Sequence, residues 1–173
     1  MDNKYLMSVV VLFGLPGTGK SFVGKIFEKY FHYYFYDGDE DLTPEMKAAI
    51  KTKTVFTDQM RDVFFEKLIS NIQELTNKHK KLVVAQTFIK EKYRINLLEK
   101  IPEAKFMLVE TKKEIREKRL LEREDYPIDL NYARIMEKNF EKSKIDIQII
   151  MNNEEGENII KEHIQRFVLP LLS

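Results

Sequence analysis

The chain has 173 residues, 43% of them hydrophobic and 33% charged, enough to bury one sizeable core but not two. A formal net charge of +1, with the two signs interleaved, excludes the global basic field that drives binding to nucleic acid or anionic membranes. The absence of cysteine excludes a disulfide framework and a thiolate metal site, and the longest apolar run, Val9 to Phe13, is too short to span a bilayer. With no leader-type segment ahead of that run, the expectation is one cytoplasmic domain over 1–173, monomer or homodimer, with no nucleic-acid or membrane partner.

Taken in chain order, Ser8 to Phe13 is β-branched and apolar and reads as a buried strand. Gly14-Leu15-Pro16-Gly17-Thr18-Gly19-Lys20-Ser21 follows, a full match to GxxxxGK[ST] between a strand and a helix. Such a loop cradles a polyphosphate in backbone N–H groups, which requires chain without Cβ atoms close to the ligand. Lys20 then reaches the β- and γ-phosphates, and Ser21 opens a helix with its hydroxyl placed for Mg²⁺. Phe22, Val23, Ile26, Phe27, Tyr30 and Phe31 recur at helical spacing, and Tyr33 to Tyr36 reads as a second strand. Asp37-Gly38-Asp39-Glu40-Asp41 is an acidic turn at its carboxyl end, where ligand sites of open α/β sheets gather. Thr43-Pro44 and Thr57-Asp58 have the form of helix starts, the second helix carrying the stripe Met60, Phe64, Leu68, Ile72 and Leu75. Lys81 to Gln86, Lys105 to Glu110 and Asp146 to Ile150 complete five strands, and an amphipathic helix from about Gly156 to Val168 ends before Pro170. Strands alternating with helices predict a parallel, right-handed α/β sheet.

Asp37 and Asp39 share one side of an extended strand end. If that strand neighbours the phosphate-loop strand, one carboxylate serves the metal and the other accepts a substrate hydroxyl's proton, the alternative being an acidic surface turn. Val83-Val84-Ala85-Gln86-Thr87 lacks the usual acidic metal partner of a Walker B strand, leaving Gln86 or Thr87 to orient water or substrate. Arg116, Arg119 and Arg123 lie on one helix face within the charged stretch Glu110 to Asp125. They suit either a lid closing over nucleotide or a solvated helix with ion pairs Glu114–Lys118 and Arg119–Glu122. Arg61, Lys90 and Arg94 follow the acidic turn and the third strand, and read either as surface cations or as an acceptor pocket. His32, His79 and His163 have no metal spacing and receive no role.

With these residues in hand, the chain resembles the small-metabolite kinases of the P-loop superfamily, most closely gluconate kinases, with shikimate kinases as neighbours. Gly14 to Ser21 followed by Tyr36-Asp37-Gly38-Asp39 is similar to the loop and DGD of gluconate kinases, and Phe35 to Asp39 fits the FxDxD of shikimate kinases. Thr57 to Arg61 resembles the T-D-x-D-R segment of gluconate kinases, Val83-Val84-Ala85 through Lys90, Tyr93 and Arg94 their VVACSALKxxYR, and Arg119-Leu120-Leu121-Glu122-Arg123 their lid's RLxxR. The likeness implies a three-layer P-loop kinase fold, a five-stranded parallel sheet flanked by helices, with a helical lid over about 112–142.

It further implies an ATP- and Mg²⁺-dependent phosphotransferase whose acceptor is a hydroxyl of a small metabolite, a sugar acid such as gluconate. Lys20, Asp39 and Arg123 are then catalytic, with Ser21 and Asp37 on the metal. The loop from Gly14 to Ser21 and a stacking Arg119 hold the nucleotide, and Asp39, Arg61, Lys90 and Arg94 the acceptor. Departures from the gluconate-kinase pattern at Gln86-Thr87, Phe64-Phe65 and Tyr126-Pro127 point away from gluconate itself. The alternatives are a nucleoside or nucleotide kinase and a non-catalytic ATP-binding regulatory module; Asn77-Lys78-His79-Lys80 lacks the aspartate of a guanine-specific switch.

Overall fold

Five apolar residues in a row, Val9 to Phe13, need cover on both sides, and a parallel sheet between two helical layers supplies it. The computed structural model describes residues 7–123, 129–153 and 156–172. In chain order the elements are β1 (Ser8–Phe13), α1 (Lys20–Phe31), β2 (Tyr34–Asp37), α2 (Pro44–Lys51), α3 (Asp58–Lys78), β3 (Lys81–Ala85) and α4 (Glu91–Lys100). They continue as β4 (Lys105–Glu110), α5 (Lys113–Leu121), α6 (Leu130–Asn139), β5 (Ile147–Met151) and α7 (Asn158–His163). All four strand pairings are parallel, in the order β2-β3-β1-β4-β5, so β1 is central.

Alternation along β1 divides the core. Val9, Val11 and Phe13 face a layer that includes Leu68 and Ile72 of α3 and Leu97 of α4. Val10 and Leu12 face Val23, Ile26 and Phe27 of α1 and Ile160 of α7. Each of these fully buried side chains contributes roughly 1.5–3 kcal/mol relative to exposure. The two predicted helix starts form as expected: Thr43 and Thr57 accept hydrogen bonds from the backbone N–H of Met46 and Met60, each at 3.2 Å. A cap of this kind is worth about 1 kcal/mol.

Boundaries shift where long-range contacts intervene. Tyr33 leaves the second strand, because His32 caps α1 at φ 60° and the Tyr33 hydroxyl turns into the core to meet Ser8 Oγ at 2.7 Å. Asp37 joins β2 instead, and β5 runs one residue later than predicted. The expected C-terminal helix changes pitch. Beyond His163 it widens into a π-helical stretch, Ile164–Val168, and tightens into a 3-10 turn at Leu169–Leu171. Pro170 lacks an N–H for the Arg166 carbonyl and its ring crowds it, so an ordinary α-turn does not continue there. Among the described residues, no helix is long and apolar enough to cross a membrane.

Candidate active site

The Gly14–Gly19 loop leaves the carboxyl end of β1 and delivers Lys20 and Ser21 at the start of α1. It is braced from behind. Asn152, directly after β5, donates from Nδ2 to the Thr18 carbonyl at 2.8 Å, and Thr111 Oγ1 donates to the same oxygen at 3.0 Å. Gly19 sits at φ 87°, and a Cβ there would lie 2.2 Å from Asn152 Nδ2. The third glycine of the loop is therefore required both by backbone conformation and by the brace.

The sequence reading made the Asp37 pair conditional on β2 lying beside β1, and the structure places β3 between them. The carboxylates reach the loop by another route. Helix α1 packs across β3 and β2, which brings Ser21 to the end of β2, where its Oγ donates to Asp37 Oδ2 at 2.8 Å. Asp37 Oδ1 accepts from the Asp39 backbone N–H at 3.1 Å and so caps a 3-10 turn over Gly38–Asp41. Gln86, buried at the end of β3, donates from Nε2 to Asp39 Oδ1 at 3.0 Å, while its Oε1 accepts from the Thr87 N–H at 2.6 Å. A Cβ on Gly38 would stand 3.1 Å from Gln86 Nε2, so the glycine between the two aspartates makes room for that contact. Gln86 thus occupies the position after the third strand as a support for Asp39.

Charge is concentrated here. Burial lowers the Lys20 ammonium to a pKa of about 8, against the opposing pull of Asp39 and Asp37. By surface area the side chain is only half-buried, because the cavity opens above it, but protein surrounds it on the other sides; its Nζ donates to the Leu15 carbonyl at 3.0 Å. Asp39 is likewise open to the cavity, and crowding by protein, then the neighbouring Asp37 charge, raise its carboxyl above the usual range. Such opposed shifts in one cleft are a signature of chemistry.

The cavity above these groups has a volume of about 360 Å³. Arg119 and Arg123 line one side and Arg61 another. Arg119 Nη1 donates to the Asn152 carbonyl at 3.1 Å. Arg116 turns inward, bonding Glu137 at 2.8 Å and packing against Gly17, so two of the three arginines of the predicted face reach the cavity. The surface ion pairs also fall elsewhere, at Lys118–Glu122 (3.8 Å) and Arg134–Glu117 (3.5 Å). Tyr126-Pro127 lies outside the described residues.

Two residues expected at the acceptor are not brought to the cavity. Arg94 is completely buried. Its guanidinium holds the carbonyls of Phe88 (2.9 Å), Ile89 (3.3 Å) and Glu141 (2.7 Å), pairs with Glu91, and lies against the Phe13 and Phe140 rings. These bonds hold the loop after β3, where Phe88 takes φ 44°. Lys90 pairs with Glu141 at 3.2 Å and does not line the cavity. Both departures have one cause: α4 starts immediately after the loop, and its first turn faces the 141–145 segment instead of the cavity. Conversely, sequence reasoning passed over Asn152, Thr111 and Tyr132. A polar pair, Asn152-Asn153, directly after an apolar strand on the ligand edge of the sheet was the available signal.

Residues 16–167 match the family profile described as Shikimate kinase. The chain belongs to the shikimate kinase family. It is an ATP-dependent small-molecule kinase with the P-loop kinase fold. The kinase is similar in structure to a Janibacter sp. sugar kinase, with a TM-score of 0.80 and 19% identity over 96% of this chain and 98% of that one. A gluconokinase from Sinorhizobium meliloti gives 0.74 at 19% identity over 96% of each chain. Shikimate kinase from Acinetobacter baumannii, solved with shikimate, gives 0.61 at 14% identity over 95% of this chain and 94% of that one. No curated protein sequence matches this kinase.

Proposed function

We propose that this kinase moves the γ-phosphoryl group of ATP to a hydroxyl of a small hydroxy acid, the class to which gluconate and shikimate belong, in the cytoplasm. The observation that carries the reading is the Gln86–Asp39 contact facing Lys20 and the Ser21–Asp37 pair across one cavity floor. Magnesium in such sites keeps much of its water and takes one or two protein oxygens along with phosphates. Ser21 Oγ and Asp37 Oδ2 fit that demand, and among the described residues no larger cluster forms a closed cage. When bound there, the ion would neutralise phosphate charge.

The remaining chemistry belongs to the chain. Asp39 accepts the proton of the acceptor hydroxyl as its oxygen bonds to the γ-phosphorus; the bond from that phosphorus to the bridging oxygen breaks, and ADP leaves with the electron pair. Lys20 holds charge on the β- and γ-phosphates, and Arg123 stabilises the charge that builds on the transferring group. Arg119, anchored on the Asn152 carbonyl and lining the cavity, would stack on the adenine, and Arg61, lining it as well, would meet the acceptor's acidic group. We place the lid over about 112–142, so that its closure would exclude water.

The test is transfer itself: ATP, Mg²⁺ and a panel of hydroxy acids, polyols and nucleosides, with phosphorylated product identified by mass. Asp39→Asn should lower kcat by about a hundredfold or more while ATP still binds. Undiminished turnover in that variant would remove Asp39 from its role.

A further inference from the structure

The acceptor side of the cavity is walled by hydrocarbon. Leu42, Met46, Ile50, Phe56, Phe64 and Met136 line it, drawn from the turn before α2, α2 itself, the segment before α3, α3 and α6. Among the described residues, polar groups on this wall are few and sit together. Arg61 is buried, with Nη1 3.3 Å from an exposed Asp58 carboxylate. Tyr132, 7% exposed, lies edge-on to Phe56 with its hydroxyl buried near Arg61 and the Phe56 backbone, and makes no hydrogen bond of ordinary geometry. The reactive end of the cavity is the floor formed by Asp39 and Gln86.

We propose that the acceptor has an apolar body, an alkyl chain or aromatic ring, joining one reactive hydroxyl at Asp39 to one acidic group at Arg61 and Tyr132. This rests on the phosphotransferase reading and narrows its substrate. A polyol acid brings several hydroxyls besides the reactive one, and each would be stripped of water against Leu42, Met46, Ile50 and Phe64 without a partner. An apolar body gains from the same surfaces. The buried Tyr132 hydroxyl, which has no acceptor for its proton among the described residues, would gain one when an acceptor atom enters beside Arg61. The hydroxyl proton passes to Asp39 as the new oxygen–phosphorus bond forms, the bond from the γ-phosphorus to the bridging oxygen breaks, and ADP departs with that electron pair.

The deciding experiment compares acids matched in skeleton. Calorimetric titration of the kinase loaded with Mg²⁺ and a non-hydrolysable ATP analogue should show 6-hydroxyhexanoate and 3-(hydroxymethyl)benzoate binding about tenfold or more tighter than gluconate, which shares the six-carbon chain, carboxylate and terminal hydroxyl of the first. Ile50→Asn and Met136→Gln, both at half-buried positions, should erase most of that preference while leaving binding of the ATP analogue unchanged, which also reports that the variants fold. Equal or tighter binding of gluconate overturns the proposal, as does absence of binding by the apolar acids. The phosphotransferase reading fails separately, if an apolar acid binds beside the nucleotide analogue yet ATP yields no phosphorylated product from any acid in the panel.

Discussion

Asp39 and Lys20 carry opposite demands at the scale of single residues. Asp39 must be ionised to take a proton, and its carboxyl is raised by burial and by Asp37. Lys20 must be protonated to hold phosphate, and burial lowers it to about 8. For kcat/KM, which reports the free enzyme, activity should rise as pH climbs through the Asp39 titration and fall as it passes about 8. Bound phosphates favour the charged ammonium, so the alkaline limb of kcat should lie at higher pH than that of kcat/KM; coincident limbs would assign that limb to another group. Gln86 enters through Asp39, since its amide hydrogen bond favours the carboxylate and opposes the upward shift. Gln86→Ala should therefore move the acidic limb to higher pH and reduce kcat on the order of tenfold. A merely structural Gln86 would change the amount of folded enzyme and leave the pH profile in place.

Among the elements, the phosphate loop was the most legible, because its strand, glycines, lysine and helix start are contiguous in the sequence and their geometry is set locally. What local reasoning could not supply is the brace behind it. Gly19→Ala would force φ near 87° on a residue with a Cβ and drive that atom to 2.2 Å from Asn152 Nδ2. The strain, of order 1–3 kcal/mol, should appear as a lower thermal midpoint and at least a severalfold loss of ATP affinity by titration. The acidic turn was legible in the same way, and the capped helices at Thr43 and Thr57 form where the caps stand. The arginine helix was not. The i, i+3, i+7 spacing stands in the sequence, but α5 ends at Leu121, before Arg123, and which side chains face ligand depends on α6, whose Glu137 draws Arg116 inward.

Across the whole molecule, Arg94 shows how packing can reassign a motif residue. Its position in the sequence suits an acceptor pocket, yet its guanidinium ties the loop after β3 to the 141–145 segment through Glu91 and three carbonyls. Arg94→Met would leave Glu91 buried without its cation, and urea unfolding should show a loss of about 3–5 kcal/mol. Enzyme that remains folded should keep its acceptor KM, where a substrate-binding arginine would not. The sequence by itself determined the parallel α/β architecture, the nucleotide loop, and the DGD turn at a strand's carboxyl end, because periodicity and short-range turn chemistry specify each of them. Only the tertiary structure decided that β3 separates β1 from β2, that Gln86 supports Asp39, that Arg61 and not Arg94 or Lys90 faces the cavity, and that its acceptor wall is apolar. Those features arise where segments far apart in the chain meet, and the register of their meeting is set by the shape of the shared core, which no local pattern encodes.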